Sequence, residues 1–280
     1  MRETNEFEVI VVGSGPGGAS AARELTRRGK KVLILEWGSN RPVKGSVFQA
    51  LSQLGMPGKS LFFAGGPLAL VRGVTAGGSS IFYYHTAFEP PLERLKKHGL
   101  DISAELDELK AELPIAPLSD KLMGPMARRL NAAARETGLD WRRLPKLLYQ
   151  DKCRPNCRLC TYGCPHGAKF NARMLVEQAA ARGAVLKTGA KVVRFFLENG
   201  RVGGVQYLKA GRPETAFAPQ VIISAGGLGT PLILRAGGIK NAGRDFFYDP
   251  LIAVMGEVVG IRGGREIPMA AGAHRNARAS

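Results

Sequence analysis

Four cysteines form the densest group of side chains that could do chemistry. They are Cys153, Cys157, Cys160 and Cys164, separated by three, two and three residues on a segment that contains glycine and proline. Thiolates this close together can hold an iron–sulfur cluster or a structural zinc ion. Cys160, Cys164 and Pro165 also match the C-x3-C-P end of a ferredoxin-type run. Free thiols are a third reading, and disulfides are disfavoured in a reducing compartment.

A second group is the glycine-rich stretch Gly13–Gly18, with the sequence GSGPGG. Gly13 permits a sharp turn, and Gly15 leaves room for a pyrophosphate to approach the backbone. Gly18 permits close packing of a helix on a strand. The unpaired N–H groups and positive dipole end of that helix would then bind the pyrophosphate. The spacing therefore predicts a dinucleotide site.

Glu36 defines the kind of nucleotide that this site would accept. It ends a second apolar run, Val32 to Leu35, where a carboxylate can accept hydrogen bonds from both ribose hydroxyls and would repel a 2′-phosphate. The expected ligand is therefore FAD or NAD rather than NADP.

The elements that must position these residues follow from the hydrophobic pattern. Apolar residues 9–12, a helical pattern over 17–28 and the second apolar run predict a strand, a helix and a parallel strand. Further along, the pattern predicts a loop-rich region at 38–73, two helices between 90 and 146, and a helix over 172–182. Residues 185–208 are expected to form a hairpin on an Asn199-Gly200 turn. We expect further strands at 221–225 and 254–261.

Composition limits the class of protein. The 280 residues allow two domains or one domain with an insertion, and 45% hydrophobic with 22% charged residues is typical of a globular chain. The formal net charge is +17, but the basic residues are dispersed and form none of the usual recognition modules, so we expect no nucleic-acid partner. No uncharged apolar run reaches the ~18 residues that span a bilayer, and the first strand begins too early for a signal peptide. We expect a cytoplasmic protein.

Four ordered segments give a more specific prediction. The segments VVGSGPGGASAARELTRRG, GVTAGGSS, CTYGCPHGAK and VIISAGGLGTPLILRAGGI resemble, in order and spacing, the FAD-binding half of the glucose-methanol-choline (GMC) oxidoreductases. The resemblance implies an α/β, Rossmann-like FAD-binding domain with a helical insertion and a cysteine-rich loop. The expected parts are a first part of the FAD domain at 1–89, the insertion at 90–150, the cysteine-rich loop and helix at 151–183, a second part of the FAD domain at 184–262, and an irregular tail at 263–280.

The resemblance also implies which residues bind FAD. The ADP half would contact the first glycine-rich turn and Glu36, the adenine would lie beside strand residues 192 and 193, and the isoalloxazine would lie near the GVTAGGSS segment. The predicted cofactor-binding residues are Gly13, Ser14, Gly15, Gly17, Gly18, Glu36, Gly77, Gly78, Ser79, Val192, Val193, Ala225 and Gly226.

Two departures from the family pattern affect the chemistry. Many members have Asn where this chain has Tyr83, which puts the usual contact beside the flavin in question. The family's catalytic His also lies far downstream of the last expected strand, so we expect this chain to lack the substrate and catalytic domain. His85 is the weak candidate for a catalytic base, His166 would lie beside the cysteine site, and His98 and His274 are given no role.

The expected function is that of an FAD-dependent oxidoreductase, a dehydrogenase acting on CH–OH donors. Such enzymes transfer a hydride from a small-molecule alcohol to flavin N5. Some bacterial GMC sugar dehydrogenases carry an iron–sulfur cluster at a similar place, which would pass electrons to an acceptor protein rather than to oxygen. The alternatives are a flavin and iron–sulfur electron-transfer module without its own substrate, and a non-functional fragment.

Overall fold

The computed structural model describes residues 6–63, 68–246 and 254–273. The helices are α1 Pro16–Arg27, α2 Val47–Leu54, α3 Leu92–Lys97, α4 Ser103–Glu112, α5 Pro125–Glu136, α6 Ala172–Ala181 and α7 Gly226–Ala236. The strands are β1 Val9–Val12, β2 Val32–Glu36, β3 Leu61–Phe63, β4 Ala69–Val71, β5 Ile115–Pro117, β6 Arg142–Arg143, β7 Pro145–Leu147, β8 Val185–Thr188, β9 Ala190–Glu198, β10 Arg201–Lys209, β11 Arg212–Phe217, β12 Gln220–Ile223 and β13 Ala271–Gly272.

The chain forms two compact units, which we name by their content. The sheet unit comprises Met1–Pro42, Val47–Ile81 and Asn171–Ala253, and the cysteine unit comprises Val43–Ser46, Phe82–Phe170 and Val254–Ser280.

A parallel sheet with strand order β12-β1-β2-β8 organises the sheet unit. In the register, Val9 lies between Gln220 and Val32. Every residue of β1 and β2 is buried, because strands in the middle of a parallel sheet are covered on both faces. The predicted strand, helix and parallel strand at the start of the chain are confirmed, and so is the α/β fold class.

A three-stranded antiparallel sheet, β11-β10-β9, completes the core of the sheet unit. The predicted Asn-Gly turn joins β9 and β10, with φ of 52° at Asn199 and 76° at Gly200, as a tight hairpin turn with two positive φ values requires. The prediction that 185–196 forms one strand is wrong. Gly189, with φ of 68°, separates β8 in the parallel sheet from β9 in the hairpin.

Two stretches of the sheet unit differ from expectation in smaller ways. The loop-rich region at 38–73 contains α2 and the β3-β4 hairpin, which short apolar runs between glycines and prolines concealed. The predicted helix at 172–182 is confirmed as α6, and its N-cap Asn171 accepts a hydrogen bond from the Arg173 N–H at 3.1 Å.

The cysteine unit is irregular and has a small core of its own. Helices α4 and α5 have no buried residue among those described, so the apolar stripes of the two predicted helices are only partly covered. The core instead uses side chains from connecting segments, namely Leu118, Leu122, Met123, Leu148, Ala168, Ile267 and Ala270.

The end of the described chain corrects two further expectations. Residues 254–261 form no strand, and Val254, Met255 and Val259 are almost fully exposed. The tail expected to be irregular from 263 packs in part, because Ile267 is buried and β13 pairs with β6. His274 lies outside the described residues.

Among the helices that the structure describes, none combines the length and the hydropathy needed to cross a bilayer.

Candidate dinucleotide site

The first glycine-rich turn connects β1 to α1 at the carboxyl end of the parallel sheet. Gly13 has φ of 92°, and a Cβ at this position would lie 2.5 Å from the Ser224 carbonyl oxygen. A Cβ at Gly18 would lie 2.0 Å from the Gly13 carbonyl oxygen. At Gly15, the N-cap of α1, and at Gly17 no atom lies within 4 Å of such a Cβ. The chain itself therefore requires glycine at 13 and 18, whereas Gly15 and Gly17 leave open space.

Glu36 lies at the end of β2 and is buried. Its Oε2 accepts hydrogen bonds from the Ser14 N–H at 3.0 Å and the Ser14 hydroxyl at 2.6 Å, and its Oε1 accepts one from the Gly38 N–H at 2.6 Å. A carboxylate has about four acceptor positions, so roughly one remains for a ribose hydroxyl. Glu36 therefore also ties the glycine-rich turn to the neighbouring strand, a role that the sequence did not reveal.

The GVTAGGSS segment lies against the same turn. A Cβ at Gly78 would be 2.9 Å from the Gly15 Cα, and the Ser79 hydroxyl accepts a hydrogen bond from the Gly73 N–H at 2.9 Å. Gly77 donates its N–H to the Ser14 hydroxyl at 3.3 Å, and a Cβ there would lie 2.8 Å from the Arg173 nitrogen. Gly77 and Gly78 are thus needed for contacts within the protein.

These elements enclose a cavity of about 630 Å³ in the sheet unit. Its volume is in the range of sites for small molecules and cofactors. The cavity is lined by most of the predicted cofactor-binding residues, namely Gly13, Ser14, Gly15, Gly17, Glu36, Gly78, Ser79, Val192, Val193, Ala225 and Gly226. Gly18 and Gly77 are the two that do not line it. The structure therefore brings the predicted residues together, and their contact with a ligand stays a prediction.

Among the cavity-wall residues that sequence reasoning missed, three carry large aromatic or charged side chains. They are Trp37, Arg72 and Lys191. Each is adjacent to a predicted residue or segment: Trp37 follows Glu36, Lys191 precedes Val192, and Arg72 precedes the GVTAGGSS segment. Their position next to predicted residues was the only sequence signal for them. Side chains alternate between the two faces of a strand, and the path of a loop is not known from sequence, so the sequence could not show which neighbour faces the cavity.

His85, the weak candidate for a catalytic base, is fully buried in the cysteine unit. Neither ring nitrogen has a hydrogen-bond partner among the described residues, and φ is 46°. Burial and the nearby Lys146 and Lys169 lower its pKa to about 3, so the imidazole is neutral near pH 7. In the described part of the chain it lines neither the large cavity nor a cavity of about 350 Å³ that reaches Cys160. This placement lends no support to a role as base.

Two lysines beside His85 are also buried. The Lys146 ammonium donates to the carbonyls of Tyr84 and Pro268 and to the Thr86 hydroxyl, at 2.9–3.2 Å. Lys169 donates to the carbonyls of Tyr83 and Cys160. Burial lowers the pKa of each lysine to about 8. Uncharged oxygens therefore solvate both ammonium groups.

No disulfide joins the four cysteines, of which Cys160 is buried and the other three are half-buried. Burial, and then the other three thiols, raise the pKa of Cys153 to about 12. Burial also raises the pKa of Cys160, and Lys169 opposes this shift. Across the ranges that the structure describes, no three Cys, His, Asp or Glu side chains converge on a point where they could hold a metal ion. As placed, the residues do not fit a zinc ion or an iron–sulfur cluster.

Comparison with known proteins agrees with the architecture. A family model described as GMC oxidoreductase matches residues 7–260. An uncharacterized GMC-type oxidoreductase of Mycobacterium tuberculosis is 32% identical over 254 residues, which cover 83% of this chain and 39% of the relative. A long-chain-alcohol oxidase of Arabidopsis thaliana is 29% identical over 280 residues, covering 89% of this chain and 37% of the relative. The chain thus spans about two-fifths of the length of these relatives.

Solved structures of flavoenzymes share the fold. Pyridoxine 4-oxidase from Mesorbium loti superposes with a TM-score of 0.65 at 19% identity, over 83% of this chain and 52% of that one. A formate oxidase superposes with a TM-score of 0.60 at 18% identity, over 85% and 48%. Because the family model matches residues 7–260, nearly the whole described chain, the chain belongs to the GMC oxidoreductase family.

Proposed function

We propose that this chain binds FAD as part of an oxidoreductase that acts on CH–OH donors. The cavity of the sheet unit carries the proposal, because two glycine-rich segments, a strand-end carboxylate and two helix N-termini line one space. Family membership supports FAD as the cofactor.

Different residues of the cavity would bind different parts of FAD. The N–H groups at the start of α1, around Gly15, would bind the diphosphate with the positive end of the helix dipole. The remaining acceptor position of Glu36 would orient a ribose hydroxyl, and Val192 and Val193 would pack beside the adenine. Ala225 and Gly226 would close the site at the start of α7.

The chemistry requires a hydride acceptor and a base. When bound, the flavin supplies the hydride acceptor for oxidation of an alcohol carbon. A base must take the hydroxyl proton, and we leave that role unassigned because His85 is sealed from solvent. The substrate would be a small-molecule alcohol, and the similarity to long-chain-alcohol oxidases makes aliphatic alcohols the first series to test.

Purification with bound flavin and a binding titration test the cofactor assignment. We expect yellow protein, or apoprotein whose melting temperature rises when FAD is added, because a ligand that binds only the folded state stabilises it. The Gly15→Val variant should fold like the wild type, since no atom lies near its Cβ position, but should lose FAD binding because the side chain occupies the diphosphate site. Gly256→Val is the matched control at an open position outside the sheet unit. Protein that is never yellow and does not respond to FAD would contradict the proposal.

Alcohol oxidation and the electron acceptor need separate measurements. In an oxidoreductase that joins this chain to a substrate domain, we expect aliphatic or sugar alcohols to bleach the flavin anaerobically. The proposed acceptor is a protein or dye rather than oxygen, whereas several relatives are named oxidases. Hydrogen peroxide formed in proportion to the substrate consumed in air would contradict the proposed acceptor and leave the FAD site intact.

A second candidate function is electron transfer through flavin and an iron–sulfur cluster without a substrate. The cysteine spacing favours it, whereas the placement of the thiols does not. Iron and sulfide in purified protein, lost in Cys160→Ser, would support it. Stoichiometric zinc would indicate a structural site, and metal-free protein would indicate free thiols.

A further inference from the structure

We infer that Arg72 is a ligand of the cofactor's diphosphate, held in place for that purpose by the rings of Trp37 and Phe62. The inference rests on the proposed FAD site and adds to it a residue outside the glycine-rich turns. Arg72 directly follows β4 and lines the cavity of the sheet unit.

The guanidinium of Arg72 is fixed from several sides. It lies 5.5 Å from the centroid of the Trp37 ring and 5.3 Å from that of the Phe62 ring, within the range of cation–π contacts. Its Nε donates a hydrogen bond to the Lys59 carbonyl at 3.0 Å. These contacts hold the guanidinium beside two rings and occupy its Nε, and its two terminal nitrogens are left for another acceptor.

Those terminal nitrogens have no protein acceptor among the described residues. Burial lowers the pKa of Arg72, and the negative charge of Glu36 opposes the shift. A guanidinium stays protonated in proteins, so the group brings a full positive charge into the cavity wall. Among the described residues no hydrogen bond or ion pair joins Arg72 to Glu36, whose oxygens accept from Ser14 and Gly38 instead.

Neighbouring groups add further positive potential. The ammonium group of Lys191, which also lines the cavity, lies 4.6 Å from the centroid of the same Trp37 ring. The Arg72 Nη1 lies 3.1 Å from the position of a Cβ on Gly229, in the first turn of α7. A helix N-terminus carries roughly half a positive charge, so a guanidinium beside it is unfavourable unless an anion lies between them.

A diphosphate meets this requirement. It carries negative charge on several oxygens, and its expected place at the start of α1 is in the cavity that Arg72 lines. The planar guanidinium offers two parallel donors that match phosphate oxygens, whereas an ammonium group would act as a point charge. The geometry therefore gives Arg72 the role of a preorganised phosphate ligand.

Equilibrium titration of the full chain with FAD, at low and at high salt, tests the inference. We expect Arg72→Gln to raise the Kd about tenfold to a hundredfold at low salt, the loss of one charge-assisted contact. Because salt screens the attraction between the half-buried guanidinium and the diphosphate, the wild-type Kd should rise with salt more steeply than that of the variant. Arg72→Lys should recover part of the affinity but not all of it.

Lys59→Gln is the matched control. It removes a cation from the same Trp37 ring but lies outside the cavity lining, so its Kd should stay within about twofold of the wild type. Wild-type affinity in Arg72→Gln would overturn the inference and leave the FAD site intact. An equal loss at both salt concentrations would indicate only a structural role and would also overturn it. Absence of FAD binding in the wild type would overturn the proposed function itself.

Discussion

The sheet unit and the cysteine unit bury polar groups in different ways. In the sheet unit, Ser14 and Glu36 lie at the ends of adjacent strands, bond to each other and to backbone N–H groups, and border an open cavity. In the cysteine unit, His85, Lys146 and Lys169 are almost fully enclosed. Backbone carbonyls and one hydroxyl accept from the lysines, and the imidazole has no partner among the described residues.

The difference shows what each arrangement can be used for. A strand-end carboxylate beside a cavity keeps an acceptor position for a ligand, because the regular sheet already satisfies the backbone around it. Enclosed lysines instead hold irregular segments together, since each ammonium joins carbonyls that no strand or helix pairs. We therefore expect the stability of the sheet unit to depend mainly on side-chain volume at its close contacts. The stability of the cysteine unit should depend mainly on the charge of its buried side chains.

The largest expected effect is that of Gly18→Ala in the sheet unit. The new Cβ would lie 2.0 Å from the Gly13 carbonyl oxygen, so the helix must move away from the strand. We expect the free energy of unfolding to fall by about 3 kcal/mol or more in chemical denaturation. Gly17→Ala, one residue earlier with open space around it, should be neutral or stabilising by up to about 1 kcal/mol. Similar behaviour of the two variants would refute the close packing of α1 on β1.

Lys146 tests the charge sensitivity of the cysteine unit. Its folded pKa of about 8 is below the ordinary value of 10.5, so between these values the unfolded chain binds the additional proton. The contribution of Lys146 to the free energy of unfolding should therefore increase by about 3 kcal/mol as the pH rises from about 8 to 10.5. The neighbouring His85, Lys169, Cys153 and Cys160 titrate too, so the quantity to measure is the difference between wild type and Lys146→Met in urea. If the difference in unfolding free energy between wild type and variant does not change with pH, the Lys146 ammonium is exposed to water and its pKa is not lowered.

Ser14→Ala examines the polar network at the strand ends. It removes the 2.6 Å hydrogen bond to Glu36 and the acceptor of the Gly77 N–H. Because the group is buried and its partner is charged, we expect a loss of about 2 kcal/mol in the free energy of unfolding. Ser20→Ala, on the exposed side of α1, should change stability by less than about 0.5 kcal/mol. Equal effects would mean that Glu36 is held mainly by backbone N–H groups.

The smallest expected effects are those of removing a helix cap from each of the two units. Asn171 caps α6 from the adjacent position, whereas Glu266 caps α5 from far along the chain through the N–H groups of Met126 and Ala127. Calorimetry should show a loss of about 1 kcal/mol for Asn171→Ala. We expect somewhat more for Glu266→Ala, about 1.5 kcal/mol, because a carboxylate also favours the helix dipole. An unchanged Glu266→Ala would indicate that residues 263–273 contribute no stability to α5.

The sequence predicted those parts of the sheet unit that depend on interactions between residues close together in the chain. The turn at Gly13–Gly18, the helix that follows and the Asn199-Gly200 hairpin each depend on residues close in sequence, and all three are confirmed. The break at Gly189 was missed because the mixed apolar and polar pattern of 185–196 suits either one long strand or two strands in different sheets. The strand expected at 254–261 was wrong, because apolar alternation forms a strand only where a partner strand exists.

The sequence by itself determined the family, the α/β fold and the glycines of the nucleotide turn, because steric limits on φ and on close backbone approach act over a few residues. Only the tertiary structure decided that Glu36 is bonded to Ser14, that Arg72 contacts two aromatic rings at the cavity, and that His85 is buried beside two lysines. These contacts join segments distant in sequence, and their energies depend on burial and on partners that no local pattern specifies.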